Sequence, residues 1–484
     1  MTKLLSLIHG MVWGAPALIL ILGIGIYLSV QLHFVQLTLL PEAIVQFWKK
    51  LRPHKKANGS ASSFRALCTA LAATVGTGNL VGVAGAISLG GPGAVFWMWI
   101  SGFLGMATKY AEVTLALRYR ARTETGFAGG PMYVISQGLG NRFRPLATAY
   151  CILGLLASFG VGNAAQINAV TCGIHSLCGG EGMRNSLLVG IVLALLIGRM
   201  LLGGAKRIGA AAERLVPFAA AAYMVLCLGV LLRFYRRLPM AFESIFLGAF
   251  SPRAVTGGML GSAFQAMRVG CSRGVFTNEA GMGTAAIAHA CAQVDHPAQQ
   301  GLMGIMEVFL DTIVICTLTA LVILVSGVPI PYGMDTGSEL TIASFSAVYG
   351  KAAGMILTAA LTLFAIASVL GWGFYGASCA QFLFGAKAWR PFAWAQIMTI
   401  VVSSVLDTTF VWQFSELMNG LMTIPNLLTL AVLAPEAGRL TKEYRKTGKR
   451  AGGGNYADFY QRKPLRAFSH AEISSSGSGC QEKR

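Results

Sequence analysis

The chain has 484 residues, 55% of them hydrophobic and only 12% charged, with 59 glycines and a formal net charge of +19. Soluble globular domains do not have this balance, so the solvent for most of the chain is lipid. The cations sit in short clusters between apolar runs, the pattern of loops facing anionic lipid, which removes the nucleic-acid partner that the same charge would suggest in a soluble protein.

Splitting the apolar runs at charged, Gly/Pro-rich or turn-like stretches gives about eleven segments near the ~20 residues that cross roughly 30 Å of hydrocarbon. They are Trp13–Val30, Ala66–Gly90, Ala94–Leu117, Leu146–Cys172, Ser186–Leu201, Leu215–Leu232, Thr256–Cys291, Gly301–Gly327, Ala352–Phe384, Phe392–Leu406 and Thr409–Ala434. The first is too long for a secretory signal and lacks a small-residue cleavage site, so it reads as a retained helix.

Basic loops stay in the cytoplasm. Lys49, Lys50, Arg52, Lys55 and Lys56 place the first connection inside; Arg118, Arg120, Arg122, Arg142, Arg144, Lys206, Arg207, Lys387, Arg390 and the tail from Arg439 agree by alternation. Arg233, Arg236 and Arg237 disagree. The amino terminus is then outside and the carboxyl terminus inside. The tail is expected to be disordered beyond about Ala467. Ten cysteines without a CxxC pair or a Cys/His cluster argue against a metal site. Cys172 and Cys178 are read as bracketing a short external loop, where a disulfide is one option.

Two segments do not read as plain helices. Thr74-Val75-Gly76-Thr77-Gly78-Asn79 and the longer stretch Gly270–Gly283 put glycines beside polar and charged side chains at mid-membrane depth. Unwound backbone is tolerated there only inside protein or beside a watery cavity. The two lie in the first and sixth of the ten segments after the amino-terminal helix, a five-plus-five arrangement, and interruptions at corresponding positions point to a transporter binding site. A half-helix start offers amide hydrogens to a carboxylate; a half-helix end and free carbonyls suit Na⁺ or an ammonium. The reading that these glycines only let helices pack closely is weakened by Asn79, Asn278 and Glu279 beside them.

At these residues the sequence resembles the alanine or glycine:cation symporter family, a branch of the LeuT-type fold superfamily. The motifs are VGTGNLVGVA (Val75–Ala84), GGPGAVFWMW (Gly90–Trp99), GGPMY (Gly129–Tyr133), GVGNAAQIN (Gly160–Asn168), GAKRIG (Gly204–Gly209), RGVFTNEAGMGTAAIAHA (Arg273–Ala290), LGWGFY (Leu370–Tyr375) and NGLMTIPN (Asn419–Asn426). The resemblance implies an all-α polytopic protein with one outer helix and two inverted five-helix repeats. The parts would be 1–60, the first helix and basic loop; 61–240 and 241–436, the repeats; and 437–484, a basic tail.

The resemblance further implies sodium-coupled uptake of a small neutral amino acid across a bacterial inner membrane, with no cofactor beyond the coupling ion, no enzymatic activity and no obligate protein partner. Thr77, Gly78, Asn79, Gln166, Phe276, Asn278 and Trp372 would bind substrate, and the carbonyls of Ala72 and Val75, with Thr74 and Ser368, would hold sodium. Alanine, glycine, serine and glutamine all remain candidates. Three positions depart from the family pattern: the usual Ser-Thr pair reads Ala367-Ser368, the acid after LGWGFY is Ala377, and an expected aspartate pair reads Gln413 and Glu416.

Arg273 and Glu279 are expected to pair with each other. Glu307 and Asp311, one helical turn apart, leave a proton-coupled carrier open. A channel, or a membrane enzyme, which would need a convergent nucleophile and base, is disfavoured; His289 reads as a lone histidine near a helix end.

Overall fold

Lipid offers a backbone no partner but itself, so a chain of this composition folds into helices whose turns close their own hydrogen bonds. The computed structural model describes residues 12–51, 62–123, 126–178, 182–251, 262–334, 337–406 and 408–448. Helix α1 spans Ala15–Gln31, with Pro16 in its first turn, where the missing N–H costs nothing. Helix α2, Leu40–Leu51, carries Glu42 in its first turn and Lys49 and Lys50 in its last, as the helix dipole favours. Helix α3, Ser63–Thr74, is capped by the Ser62 hydroxyl, which accepts the Arg65 N–H at 3.1 Å. After an unwound Val75–Thr77 and a wide turn at Gly78–Gly82, α4 runs from Val83 to Gly90, bent by 50° from α3.

Helix α5, Gly93–Arg118, is followed by a small antiparallel hairpin, β1 Ala121–Thr123 with β2 Gly126–Ala128. Helices α6, Arg144–Phe159, and α7, Ala165–Cys178, join through a wide turn at Gly160–Ala164; α8 covers Met183–Leu201, α9 Gly204–Arg233 and α10 Leu238–Phe250. The second broken helix is α11, Ala263–Asn278, with α12, Thr284–His289. A long helix follows as α13, Pro297–Val308, a wide-turn stretch Phe309–Cys316, and α14, Thr317–Ser326. The chain closes with α15, Glu339–Tyr349, α16, Ala352–Phe384, α17, Trp389–Ser403, and α18, Thr408–Gly448.

Among the described residues six helices are long and apolar enough to cross a membrane, seven if the bent α3–α4 pair counts as one span. Every apolar run named from the sequence overlaps one of the helices above. Helices α2, α10 and α15 and the hairpin have no counterpart in that reading, because they are too short or too polar to register as spans.

Several expectations change. The second break is confined to Glu279–Gly283, since residues 270–278 remain helical: glycines buried between helices do not unwind a turn whose hydrogen bonds are intact. Residues 437–448 continue α18, and the stretch beyond Ala467 lies outside the described residues. Cys172 and Cys178 both belong to α7, so they bracket no loop. Six residues of helix separate their backbones by about 9 Å, beyond disulfide reach. One of the dissenting arginines serves the fold itself, since Arg237 donates to the Val325 and Ser326 carbonyls at 2.9 and 3.2 Å and so caps α14.

Two large clusters make up most of the apolar interior of the described residues, with two small ones beside them. One of the large pair includes Leu28, Val83, Ala107 and Leu302, the other Tyr150, Ile197, Val369 and Trp372. Helix α3 gives Leu71 and Ala72 to the first and Ala70 and Ala73 to the second; the second broken helix likewise gives Ala280 to one and Phe276 to the other. Both breaks therefore lie on the seam between the two cores.

Candidate functional site

At the first break the helical ladder fails in a specific order. The Gly76 N–H, which in a continuous helix would go to the Ala72 carbonyl, donates to Asn79 Oδ1 at 2.9 Å. The Thr77 N–H leaves the Ala73 carbonyl for Gln166 Oε1 at 3.4 Å, and the Asn79 N–H leaves Val75 for Gly76 O at 3.3 Å. The carbonyls of Ala72, Ala73 and Val75 are thus released from helical pairing. Ser368 donates its hydroxyl to Ala73 O across the gap at 3.2 Å rather than to a carbonyl of its own helix. Thr74 turns its hydroxyl back to Ala70 O at 3.3 Å. The hydroxyl of Thr77 is fully buried without a hydrogen-bond partner among the described residues.

The two breaks are tied through a residue whose place in an apolar run suggested a proton relay. Asn79 Nδ2 donates to Asp311 Oδ1 at 2.6 Å, and the other Asp311 oxygen accepts the Thr312 hydroxyl at 2.9 Å. Thr312 in turn accepts Asn278 Nδ2 at 3.0 Å, and Asn278 Oδ1 holds the Ala280 N–H at 2.9 Å. One buried line of hydrogen bonds thus runs from Gly76 through Asp311 to the second break. Glu307, one turn earlier, faces a different set of partners. Asp311 could be flagged from sequence as an acid in an apolar run, but not assigned to Asn79, which lies 232 residues away.

Gln166 and Phe276 approach the same place, while Trp372 packs one turn away. A methyl group at Gly76 would sit 3.3 Å from Ser368 Oγ and 3.4 Å from Gln166 Oε1; one at Gly78 would sit 3.1 Å from the Thr277 methyl and 3.5 Å from the Phe276 ring. Glycine at 76 and 78 is what lets these side chains approach the backbone. Gln166 Nε2 is held by Val161 O at 3.1 Å. Trp372 is buried against Gly162 in the wide turn between α6 and α7, and its ring meets Tyr375 edge-on. Phe276 packs on Trp412 with ring centroids 5.5 Å apart. Arg273 pairs with Glu416 of α18 at 2.7 Å, and not with Glu279, whose carboxylate accepts the Thr284 hydroxyl at 2.5 Å. Glu279 itself sits in the left-handed region at φ 54.

The tail-side half of the second broken helix is held at both ends from the α5 side. Glu112 Oε1 accepts the N–H groups of Gly281 and Gly283 at 2.9 and 3.1 Å and the Asn426 amide at 2.8 Å. Arg120 donates to the Ala290 and Ala292 carbonyls at 3.2 and 2.6 Å, beneath the Phe127 ring. A carboxylate at the start of α12 and a guanidinium at its end both complement its dipole. His289 is not alone: it contacts Glu307 Oε2 at 2.9 Å and Gln300 Nε2 at 2.7 Å, while Lys109 lies 3.5 Å from Glu307 Oε1.

The sequence model described as the sodium:alanine symporter family matches residues 1–457. The chain is 41% identical over 452 residues to the sodium/alanine symporter AgcS of Methanococcus maripaludis, covering 92% of this chain and 98% of that protein. It is 35% identical over 453 residues to the probable sodium/glutamine symporter GlnT of Bacillus subtilis, covering 93% and 91%. Among solved structures it resembles MhsT in complex with L-phenylalanine, with a TM-score of 0.55 and 14% identity over 80% of this chain and 99% of that one, which establishes the LeuT-type fold.

Proposed function

This chain belongs to the sodium:alanine symporter family, and on that premise we propose that it couples the entry of a small neutral amino acid to the inward flow of Na⁺. It is a multi-pass membrane transporter and not an enzyme. The observation that supports the substrate reading is the buried, unpartnered Thr77 hydroxyl beside carbonyls released from the helix ladder. A buried polar atom without a partner is costly unless a ligand satisfies it. In this reading Thr77, Gly78, Asn79, Gln166, Asn278 and Phe276 meet the zwitterion, Trp372 backs the Gln166 helix, and the carbonyls of Ala72 and Val75, with Thr74 and Ser368, hold sodium. These are neutral oxygens, which suit a hard cation bound weakly enough to be released.

Alanine or glycine is the substrate, with serine and glutamine as the alternatives; the amino terminus faces outward and the tail lies in the cytoplasm of a bacterial inner membrane. Uptake of labelled alanine into proteoliposomes tests the proposal. A sodium gradient should drive accumulation; accumulation driven equally by a proton gradient without sodium would favour the proton-coupled alternative.

A further inference from the structure

Below the two breaks, on the side of the bundle that carries the tail, a file of hydrogen bonds links elements far apart in the chain. Lys50 Nζ donates to Ser63 Oγ at 2.7 Å, Ser63 Oγ donates to Gln300 Oε1 at 2.5 Å, Gln300 Nε2 meets His289 Nδ1 at 2.7 Å, and His289 Nε2 meets Glu307 Oε2 at 2.9 Å. Ser63 begins the tail-side half of the first broken helix and His289 ends that of the second. Gln300, fully buried on α13, thus ties the two halves to each other.

The direction of every bond in the file is forced by its ends. An ammonium only donates, so Ser63 Oγ must accept from Lys50 and spend its single proton on Gln300 Oε1. That orients the amide, so its NH₂ faces His289 and Nδ1 must be bare. The remaining ring proton is on Nε2 and points at the Glu307 carboxylate, which also faces Lys109. A proton added to Nδ1 would set an N–H against the Gln300 NH₂. Rotating the amide would relieve that clash only by turning its NH₂ on Ser63, whose hydroxyl would lose its acceptor.

We propose that His289 is a proton-binding site, and that its occupation breaks the tie that Gln300 makes between the tail-side halves of the two broken helices. The ligand is a proton from the aqueous phase on the tail side, where the half-buried Lys50 ends the file. The carboxyls of Glu307 and Asp311 on the α13 side, Glu112 on α5 and Glu279 in the adjoining break, and the cations Lys109 and Arg120, lie around His289. Arg65 on α3 is paired with Glu213 at 2.8 Å. The consequence for transport, that acid on the tail side favours the state in which the two halves part, rests on the symport reading; the proton site itself does not.

Amide hydrogen exchange on the purified full-length protein tests the site without any substrate. Peptides covering 63–74 and 284–292 are compared at about pH 7.5 and about pH 5.5, on either side of the ordinary histidine range, after correction for intrinsic exchange rates. Lys50, lowered by burial to about 8, and His296, lowered by burial to about 4, largely keep their charge between these two values. In the wild type one of the two segments should lose protection in acid, 284–292 if the amide stays in place and 63–74 if it rotates, by roughly three- to tenfold, the worth of a neutral buried hydrogen bond. His289→Gln keeps a donor toward Glu307 but cannot take the proton, and its protection should not change with pH. Gln300→Glu supplies a carboxylate that accepts from both Ser63 and a doubly protonated His289, so its protection should hold or rise in acid. Equal wild-type protection of both segments at both pH values, or the same loss in His289→Gln, would overturn the assignment. Should His289→Gln fail to fold, the contrast between wild type and Gln300→Glu decides alone. Alanine uptake on the same preparation reports separately on the symport reading.

Discussion

Removing the carboxylate of Asp311 should loosen both breaks at once. Asp311→Ala leaves Asn79 Nδ2, now 2.6 Å from its acceptor, and the Thr312 hydroxyl, at 2.9 Å, without the carboxylate. The hydroxyl can rotate to another acceptor. The amide, with Asn79 Oδ1 held by the Gly76 N–H, keeps only its longer contacts to the residue 311 carbonyl at 3.5 Å and to Cys316 Sγ at 3.3 Å. The loss is therefore dominated by one buried, charge-assisted hydrogen bond, about 2–3 kcal/mol, or roughly 30- to 150-fold in substrate affinity if the break must keep this shape to bind. Asp311→Asn keeps an acceptor for Asn79, and Thr312 can accept from the new amide, so it should cost only about 1 kcal/mol, roughly fivefold. Calorimetric alanine binding at saturating sodium, with thermal melting as the control for folding, measures both. Asp311→Ala binding within about threefold of wild type, or Asp311→Asn as damaging as Asp311→Ala, would refute the idea that this carboxylate sets the shape of the first break.

Ser368→Ala removes the hydroxyl facing Ala73 O and, in the sodium reading, should raise the sodium concentration for half-maximal uptake by about tenfold while alanine affinity at saturating sodium changes much less. Gly162→Ala would place a methyl 2.3 Å from Trp372 Cβ, so the protein should melt earlier by the equivalent of about 1–3 kcal/mol, and an unchanged melting temperature would show that the α6–α7 turn can shift. His296 caps α13 by accepting the Ala298 N–H at 3.1 Å and is lowered by burial to about 4. A depressed folded value means that its contribution is fully present above the ordinary 6.5 and is lost as pH falls toward 4. Melting of the wild type should therefore show an acid loss in that window of no more than about 3 kcal/mol, which His296→Asn, a cap that does not titrate, should flatten.

Much of this could be read along the chain because membrane insertion is a local problem. The length of an apolar run decides whether it can span, and a stretch such as Thr74–Asn79 announces its own break because two glycines and an asparagine in hydrocarbon need special surroundings. The place of the second break was less legible. Gly270 and Gly274 look like breakers, but both face α5, where a methyl at Gly270 would meet the Ala94 carbonyl oxygen at 2.3 Å and one at Gly274 would meet Ser101 Oγ at 3.0 Å. They are there for close helix packing, and only Glu279 to Gly283 leave the helix.

What the sequence by itself determined is the helical membrane class, the two interruptions and the set of polar residues at the first of them, because each follows from residues within a few turns of one another. Only the tertiary structure decided which partner each charged group takes. Arg273 reaches Glu416 on α18 instead of its near neighbour Glu279, Asp311 goes to Asn79 and Glu307 to His289 and Lys109. In a medium without water a buried charge must find its counter-group wherever the fold brings one, and that choice depends on how helices from distant parts of the chain are packed, which no local pattern records.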